Sequence, residues 1–161
     1  MMSLRVIDAR YDEPAHARAL VDLLDLYARA PAGGGEPLSA YAREHLPAQL
    51  AMRSTAFRVL AFDDAVPVGL INCIEGFSTF ACRPLVNVHD VVVVDTYRGR
   101  GVGRLMLDRV EAIARSRGAC KLTLEVLDGN RSAISLYEKV GFEPYQLDPA
   151  MGQARFFQRW L

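Results

Sequence analysis

The sequence predicts an α/β domain with a mixed β-sheet, and three observations support this fold class. Two apolar segments at 56–62 and 66–75 flank the turn "DDA", which is typical of an antiparallel hairpin. An apolar strand is predicted at 85–94, followed by a helical pattern at 102–116 and an alternating strand at 121–127. Strand, helix and strand in succession predict a parallel crossover, so the sheet combines both kinds of pairing.

The segment before the hairpin predicts one strand and two helices. The sequence "LRVIDA" at 4–9 is a candidate first strand. Asp12 is placed to cap a helix that begins near Pro14, because proline suits the first helical turn. A second helical region spans 39–53, where we expect Pro47 to break or restart the helix.

The segment after the crossover predicts a short helix and one or two final strands. Residues 131–140 have a helical pattern that Gly141 ends. The sequence "ARFFQRWL" at 154–161 predicts a last strand. The complete prediction is a central sheet of six to seven strands flanked by about four helices. A chain of 161 residues has the size of one domain, so we expect residues 1–161 to form a single domain.

Composition narrows the possible functions. The chain has 19 basic and 19 acidic residues, and this balance argues against nucleic acid as a partner. No uncharged run approaches the roughly 18 residues of a membrane span, so no membrane role is expected. The N-terminal sequence lacks the apolar core of a signal peptide, which favours a cytoplasmic location. The spacing of the cysteines resembles no metal site, so no metal is expected.

The sequence "YRGRGVGR" at 97–104 places three alternating glycines and three arginines between a strand and a helix. A helix N-terminus presents unpaired N–H groups, and glycine lets the backbone close on an anion. The turn therefore favours a diphosphate ligand, although a tight turn with solvated arginines is the alternative. The phosphate loop of nucleotide hydrolases is excluded because Gly103 precedes Arg104 and not lysine. The dinucleotide fingerprint G-x-G-x-x-G is excluded by the glycine spacing.

Two motifs in this chain resemble those of the GNAT family of acetyl-CoA-dependent N-acetyltransferases. The family pattern Arg/Gln-x-x-Gly-x-Gly/Ala at a helix start is met by Arg98, Gly101 and Gly103. A second block, "NRSAISLYEKVGF" at 130–142, resembles the later signature of the family. Both blocks stand in the family order, so the resemblance implies the GNAT fold over most of the chain.

The resemblance implies acetyl-CoA as the co-substrate. The backbone at 91–93 would pair with the pantetheine arm, and the amides at 99–104 would hold the diphosphate. Asn130 would hydrogen-bond the pantetheine region, act as a helix N-cap, or do both. The positions that the resemblance assigns to cofactor binding are Val91, Val92, Val93, Arg98, Gly99, Arg100, Gly101, Val102, Gly103, Arg104, Asn130, Ala133 and Tyr137.

The resemblance also implies two catalytic roles. Tyr137 would be the general acid near the sulfur, although a core aromatic is the alternative. Many members carry a glutamate as base where this chain has His89, followed by Asp90. In a regular strand His89 and Asp90 would point to opposite faces, so they could not both reach one substrate. His89 is our candidate for the base, and a structural histidine is the alternative.

The expected function is transfer of the acetyl group of acetyl-CoA to a primary amine of a small molecule or amino acid. The transfer would be direct, in a ternary complex, because no cysteine lies at a recognised catalytic position. The binding site of the acceptor would be lined by the early helices and the segment at 76–84. One alternative is an acyl-CoA sensor with little turnover; another is acetylation of peptide N-termini or lysines. A homodimer is one option for assembly.

Overall fold

The computed structural model describes residues 3–161, which form five strands, four α-helices and three short 3-10 helices. The described residues form two compact units, one at 3–124 and the other at 125–161. The prediction of a single domain over residues 1–161 stays a prediction. The strands are β1 Leu4–Asp8, β2 Ala56–Asp63, β3 Val66–Ser78, β4 Arg83–Val93 and β5 Leu122–Leu124. The helices are α1 Pro14–Arg29, α2 Ala40–Ala51, α3 Val102–Ser116 and α4 Arg131–Lys139.

The sheet of the first unit has the strand order β1-β2-β3-β4-β5. The first three pairings are antiparallel, and β4 pairs in parallel with β5, which confirms the predicted mixed sheet. Two neighbouring residues of β3 show which helix covers each face of the sheet. Leu70 packs in a cluster with Leu20 and Leu23 of α1, whereas a side chain at Gly69 would meet Met106 of α3. Since successive strand residues point to opposite faces, α1 and α3 cover opposite faces of the sheet.

The α1 face carries a hydrophobic core because apolar residues of three strands align beneath the helix. Leu60, Leu70 and Val92 belong to this buried cluster, with Ala19 and Leu20 of α1. Burying a leucine side chain contributes about 1.5–3 kcal/mol relative to leaving it exposed. This row fixes α1 on the sheet and thereby positions the residues that lie next to it.

A β-bulge at His89 interrupts β4. Asn72 of β3 pairs with Asp90, but the next residue, Cys73, pairs with Val88, so His89 is an extra residue without a cross-strand partner. A bulge disrupts the ladder locally, and β5 stops pairing one residue before it, at Val88. The fifth strand is therefore shorter than the predicted 121–127.

The second unit contains α4 and no strand of the sheet. The Asn130 side chain accepts a hydrogen bond from the Ala133 N–H at 3.4 Å and caps α4. The predicted strand at 154–161 is wrong, because this segment pairs with no strand among the described residues. An apolar pattern makes a strand only where a neighbour completes its backbone hydrogen bonds. The sheet has five strands and not the predicted six to seven.

Two details of the early helices also differ from the prediction. Asp12 does not cap α1; its carboxylate pairs with Arg10 at 2.6 Å, and Glu13 occupies the N-cap position. Pro47 does not break α2, which begins after the Ser39 cap and continues through the proline. One missing N–H removes a single bond from the ladder. Among residues 3–161, no helix is long and apolar enough to cross a membrane.

Asp25 joins α1 to α2 and to the segment between them. Its carboxylate contacts Arg29 at 2.8 Å and Arg43 at 2.7 Å, and it accepts the Leu38 N–H at 2.9 Å. Hydrogen bonds from the two guanidinium groups lower the pKa of Asp25 from 3.8 to about 2. A lowered folded-state pKa stabilises the fold above the unfolded pKa, and this stabilisation disappears as the pH falls through the folded pKa.

We expect Asp25→Asn to lower the midpoint of thermal unfolding at pH 7, because it removes the charge that the two arginines share. The difference from the unmodified chain should be constant above about pH 5 and shrink between pH 4 and pH 2. Thermal unfolding followed by circular dichroism across this range measures it. Asp22→Asn, at an exposed position of the same helix, is the control. A difference that does not vary with pH would contradict the assigned role.

Candidate active site

The glycine-rich turn before α3 has a backbone that glycine alone adopts readily. Gly99 has φ 71° and Gly101 has φ 83°, and a side chain at either would meet no protein atom within 4 Å. The Leu105 N–H donates to the Gly101 carbonyl at 3.0 Å. The amides of residues 101–104 therefore precede the helical hydrogen-bond ladder, as at any helix start. The turn combines an open surface, helix N–H groups and the positive end of the helix dipole.

The arginines of this turn contact neighbouring residues of the same segment. Arg98 Nε donates to the Val93 carbonyl at 3.3 Å, and this hydrogen bond connects the turn to the end of β4. Neighbouring carboxylates offset part of the charge of two of these arginines. The contacts are Arg98 with Asp95 at 2.9 Å, Arg100 above the Tyr97 ring at 5.6 Å, and Arg104 with Asp108 at 4.0 Å.

The end of β4 leads directly to this turn. Val91 pairs with Ile71 and Val93 with Gly69, so one side of the strand is bound to β3. On the other side, pairing with β5 ends at Val88. Within the described strands, the backbone of residues 91–93 therefore has no neighbour on its β5 side. Such an edge can hydrogen-bond an extended ligand.

The bulge brings the candidate base His89 next to Asn87. The Asn87 amide nitrogen donates to Thr123 Oγ1 at 3.3 Å, so its Oδ1 faces His89 Nδ1 as an acceptor, 3.2 Å away. The tautomer with a proton on Nδ1 satisfies this contact. In the neutral ring this leaves the lone pair on Nε2, which can accept a proton from a substrate. His89 itself is exposed.

The bulge also changes the face to which Asp90 points. Asn87 pairs with Ile74 and Asp90 with Asn72, and these two β3 residues share the α1 face with Leu70. The Asn72 amide donates to Asp90 Oδ2 at 3.0 Å. In a regular strand Asp90 would point to the opposite face from Asn87; the bulge places both residues on the α1 face.

A row of three polar residues crosses the α1 face beside the apolar core. Arg58 of β2 pairs with Asn72 of β3, which pairs with Asp90 of β4. Arg58 is 1% exposed and Asn72 is 6% exposed, whereas Asp90 is half-buried. We call these three residues the polar row.

Arg58 is a buried cation without a hydrogen-bonding partner among the described residues. None of its three guanidinium nitrogens, nor the Asn72 Oδ1, has such a partner in residues 3–161. The guanidinium carbon lies 3.3 Å from the centre of the Tyr11 ring, and burial lowers the pKa of Arg58 to about 10. Burial also raises the pKa of Tyr27 on α1, and the charge of nearby Asp90 raises it further.

The remaining predicted site residues belong to the second unit. Asn130 caps α4 and Ala133 supplies the capped N–H, as described above. Tyr137 lies on α4, is 8% exposed and packs edge-on against Phe142, with ring centres 5.8 Å apart. Among the described residues, no three His, Cys, Asp or Glu side chains form a group that could hold a metal ion.

Sequence reasoning missed the polar row and the Asn87 contact. One signal was present: Arg58 is the lone charge within the apolar strand "AFRVLAF". A charge within a strand that is apolar on both faces is expected to be buried, and a buried charge needs an explanation. The partnership of Asn87 with His89 could not be anticipated, because it depends on the bulge.

Comparison with known proteins identifies the family. The profile of the Acetyltransferase (GNAT) family matches residues 20–142. Streptothricin acetyltransferase of Streptomyces lavendulae is 35% identical over 91 residues, which cover 55% of this chain and 48% of that protein. The thialysine N-epsilon-acetyltransferase of Mus musculus is 35% identical over 65 residues, or 40% of this chain and 38% of that protein. The chain thus matches about half or less of these relatives' length.

The fold comparison agrees over nearly the whole chain. The crystal structure of a probable acetyltransferase superimposes with a TM-score of 0.81 at 20% sequence identity, covering 97% of this chain and 98% of the other. Similarity at this level shows the fold alone. The family profile, in contrast, spans most of the sequence and includes both motifs that surround the crossover. The chain belongs to the GNAT acetyltransferase family.

Proposed function

We propose that this protein is an N-acetyltransferase that moves the acetyl group of acetyl-CoA to a primary amine of a small molecule or amino acid. The observation that carries the proposal is the turn at 97–104. It offers glycine backbone in the left-handed region, open space and helix amides directly after the β4 edge. Family membership supports the same reaction class. Transfer is direct, with both substrates bound together.

The residues at the turn fit a coenzyme A diphosphate. The amides of residues 99–104 would hold this dianion, and Arg98, Arg100 and Arg104 would supply positive charge around it. The backbone of residues 91–93 would hold the extended pantetheine arm along its β5 side. Asn130 would hydrogen-bond the arm, and Ala133 would pack near it. Acetyl-CoA supplies the activated acetyl thioester.

His89 accepts the proton that the acceptor amine must lose. An alkylammonium group has a pKa near 10.4, so deprotonation at pH 7 costs on the order of 4–5 kcal/mol. The lone pair of His89 Nε2 takes this proton, directly or through water, while Asn87 holds the Nδ1–H. The nitrogen–carbon bond then forms as the carbon–sulfur bond breaks. The nitrogen loses its second proton to solvent, the sulfur receives the proton of Tyr137, and Tyr137 regains a proton from solvent, so that one proton is released overall.

Tyr137 is the proposed source of the proton for the leaving sulfur. A thiol ordinarily has a pKa near 8.5 and a phenol near 10, so full transfer from an ordinary tyrosine is uphill by roughly 1.5 pKa units. The phenol therefore donates a hydrogen bond that strengthens as charge develops on the sulfur, and it passes the proton as the carbon–sulfur bond breaks.

Replacing Gly101 by alanine should weaken acetyl-CoA binding, in addition to the loss of stability expected at any glycine with positive φ. We expect Gly101→Ala and Gly35→Ala each to cost about 1–2 kcal/mol of stability, because alanine is strained at positive φ. Both glycines have φ 83° and open surroundings, so they are a matched pair. Gly101→Ala should also weaken acetyl-CoA binding about tenfold or more, since its Cβ would occupy the space of the diphosphate.

Calorimetric titration with acetyl-CoA, together with thermal unfolding, measures these two effects separately. Equal affinities for the two variants would contradict the assignment of the turn. Absence of acetyl-CoA binding by the unmodified chain would overturn the proposed function.

His89→Ala should lower kcat/KM about 100-fold and remove the acidic limb of its pH profile, because the group that must be unprotonated is lost. Asn87→Ala should lower kcat/KM but keep an acidic limb in its pH profile, since the imidazole remains and only its orientation is lost. The measurement is kcat/KM from pH 5 to pH 9. An unchanged acidic limb in His89→Ala would exclude His89 as the base.

Tyr137→Phe should lower kcat about 100-fold and leave acetyl-CoA affinity within about threefold, because only the hydroxyl is removed. Steady-state turnover and calorimetric binding provide the two readouts. Phe142→Leu, which changes the ring that packs on Tyr137 and removes no hydroxyl, is the control. Unchanged turnover in Tyr137→Phe would exclude the acid role.

A further inference from the structure

We infer that Arg58 binds a carboxylate on the acceptor, so that the substrates are amines that also carry a carboxylate. The inference rests on the proposed function and deepens it, because it names the chemical class of the acceptor. Three observations carry it: the unsatisfied guanidinium of Arg58, the stacking of Tyr11 on that group, and the direction of the polar row.

The guanidinium of Arg58 receives no hydrogen-bond acceptor from the described residues. A guanidinium has five N–H donors, and none of its nitrogens finds an acceptor among residues 3–161. A buried polar group without a partner is costly, and a buried charge more so. The contact with Tyr11 offsets a part of this cost, but a ring face accepts no in-plane N–H. A bound anion would satisfy these donors.

The geometry of Arg58 favours a carboxylate. Tyr11 lies 3.3 Å from the guanidinium carbon and covers one face of the plane. The N–H groups then remain directed within the plane, where a carboxylate accepts two parallel hydrogen bonds. Arg58 is the single cation of the polar row, so a monoanion matches its charge better than a phosphate dianion.

The polar row places the amine at the other end. Exposure increases along it from Arg58 at 1% and Asn72 at 6% to half-buried Asp90, with exposed His89 next in the chain. An acceptor that enters carboxylate first would reach Arg58 with its deep end and leave its amine near Asp90 and His89. Asp90 and the unpaired Asn72 Oδ1 are the acceptors that an ammonium group needs.

The length of the row indicates which amine reacts. Arg58 and Asp90 lie two strands apart, and neighbouring strands are separated by about 4.8 Å, so their backbones are roughly 10 Å apart. This separation favours an amine at the end of a chain over the α-amine of the same amino acid. We therefore expect ω-amino carboxylates of four to six carbons to be better substrates than glycine.

The test uses one set of acceptors that differ at the anionic end and a second set of amino acids that differ in length. Acetyl transfer from acetyl-CoA is measured for 6-aminohexanoate, 6-aminohexanamide, pentylamine and 5-aminopentylphosphonate, and for the shorter amino acids down to glycine. For the unmodified chain we expect kcat/KM for the best carboxylate to exceed that for its amide by about 30-fold. This ratio corresponds to about 2 kcal/mol at 1.36 kcal/mol per factor of ten.

Two variants and a control assign the preference to Arg58. Arg58→Met keeps a side chain of similar length without charge, and it should reduce the carboxylate-to-amide ratio to within about threefold of one. With pentylamine, which lacks the carboxylate, kcat/KM of Arg58→Met should fall by a smaller factor than with 6-aminohexanoate. Arg58→Lys keeps the charge without the planar fork and should retain an intermediate ratio. Arg18→Met, at an exposed position of α1, should keep the full ratio.

Each outcome distinguishes this inference from the proposed function. Acetylation of pentylamine and the amide as efficiently as the carboxylates overturns the inference and leaves the proposed function intact. A preference for the phosphonate over the carboxylate overturns the assignment of the anion. Transfer to no amine overturns both. If Arg58→Met does not fold, the ratio for the unmodified chain decides, together with Arg58→Lys.

Discussion

The bulge at His89 is the constraint on which the arrangement of the candidate site depends. One extra residue in β4 ends the pairing with β5 and leaves the strand edge at residues 91–93 without a neighbour within the described strands. The same residue turns Asp90 to the α1 face, where it pairs with Asn72. A regular strand would continue the ladder and direct Asp90 into the opposite layer. A single backbone irregularity therefore creates both the edge and the polar surface beside it.

The two faces of the sheet carry different chemistry. At the start of α3, the chain offers backbone N–H groups and positive φ at Gly99 and Gly101. These features suit an anion that is bound by main-chain N–H groups. On the α1 side, it offers side chains in a low-dielectric setting, where each charge interacts strongly. The α1 core row of Leu60, Leu70 and Val92 lies directly beside the polar row. Rigid apolar packing thus supports polar groups that would otherwise be mobile.

Local patterns predicted most of the fold, and long-range pairing explains where they failed. The hairpin, the helix at 102–116 and the Asn130 cap follow from periodicity and capping chemistry, which act over a few residues. The strand predicted at 154–161 fails because its apolar pattern has no described neighbour to complete it. The contact of Asn87 with His89 depends on the bulge, and a bulge has no signature in this sequence. The motif at 97–104 was recognisable because its backbone needs positive φ at Gly99 and Gly101, and the glycine spacing shows this need directly in the sequence.

The buried guanidinium of Arg58 has a consequence for engineering. Replacing a buried charge by an apolar side chain of similar volume is often neutral or stabilising. Selection for heat resistance alone would therefore favour loss of this arginine, and a library enriched in this way would also lose the carboxylate recognition proposed for it. In this chain, the unpaired guanidinium of Arg58 lowers stability in the ligand-free state. For a heat-resistant catalyst, stabilising substitutions should be made at exposed helix positions distant from β2, so that Arg58 is retained.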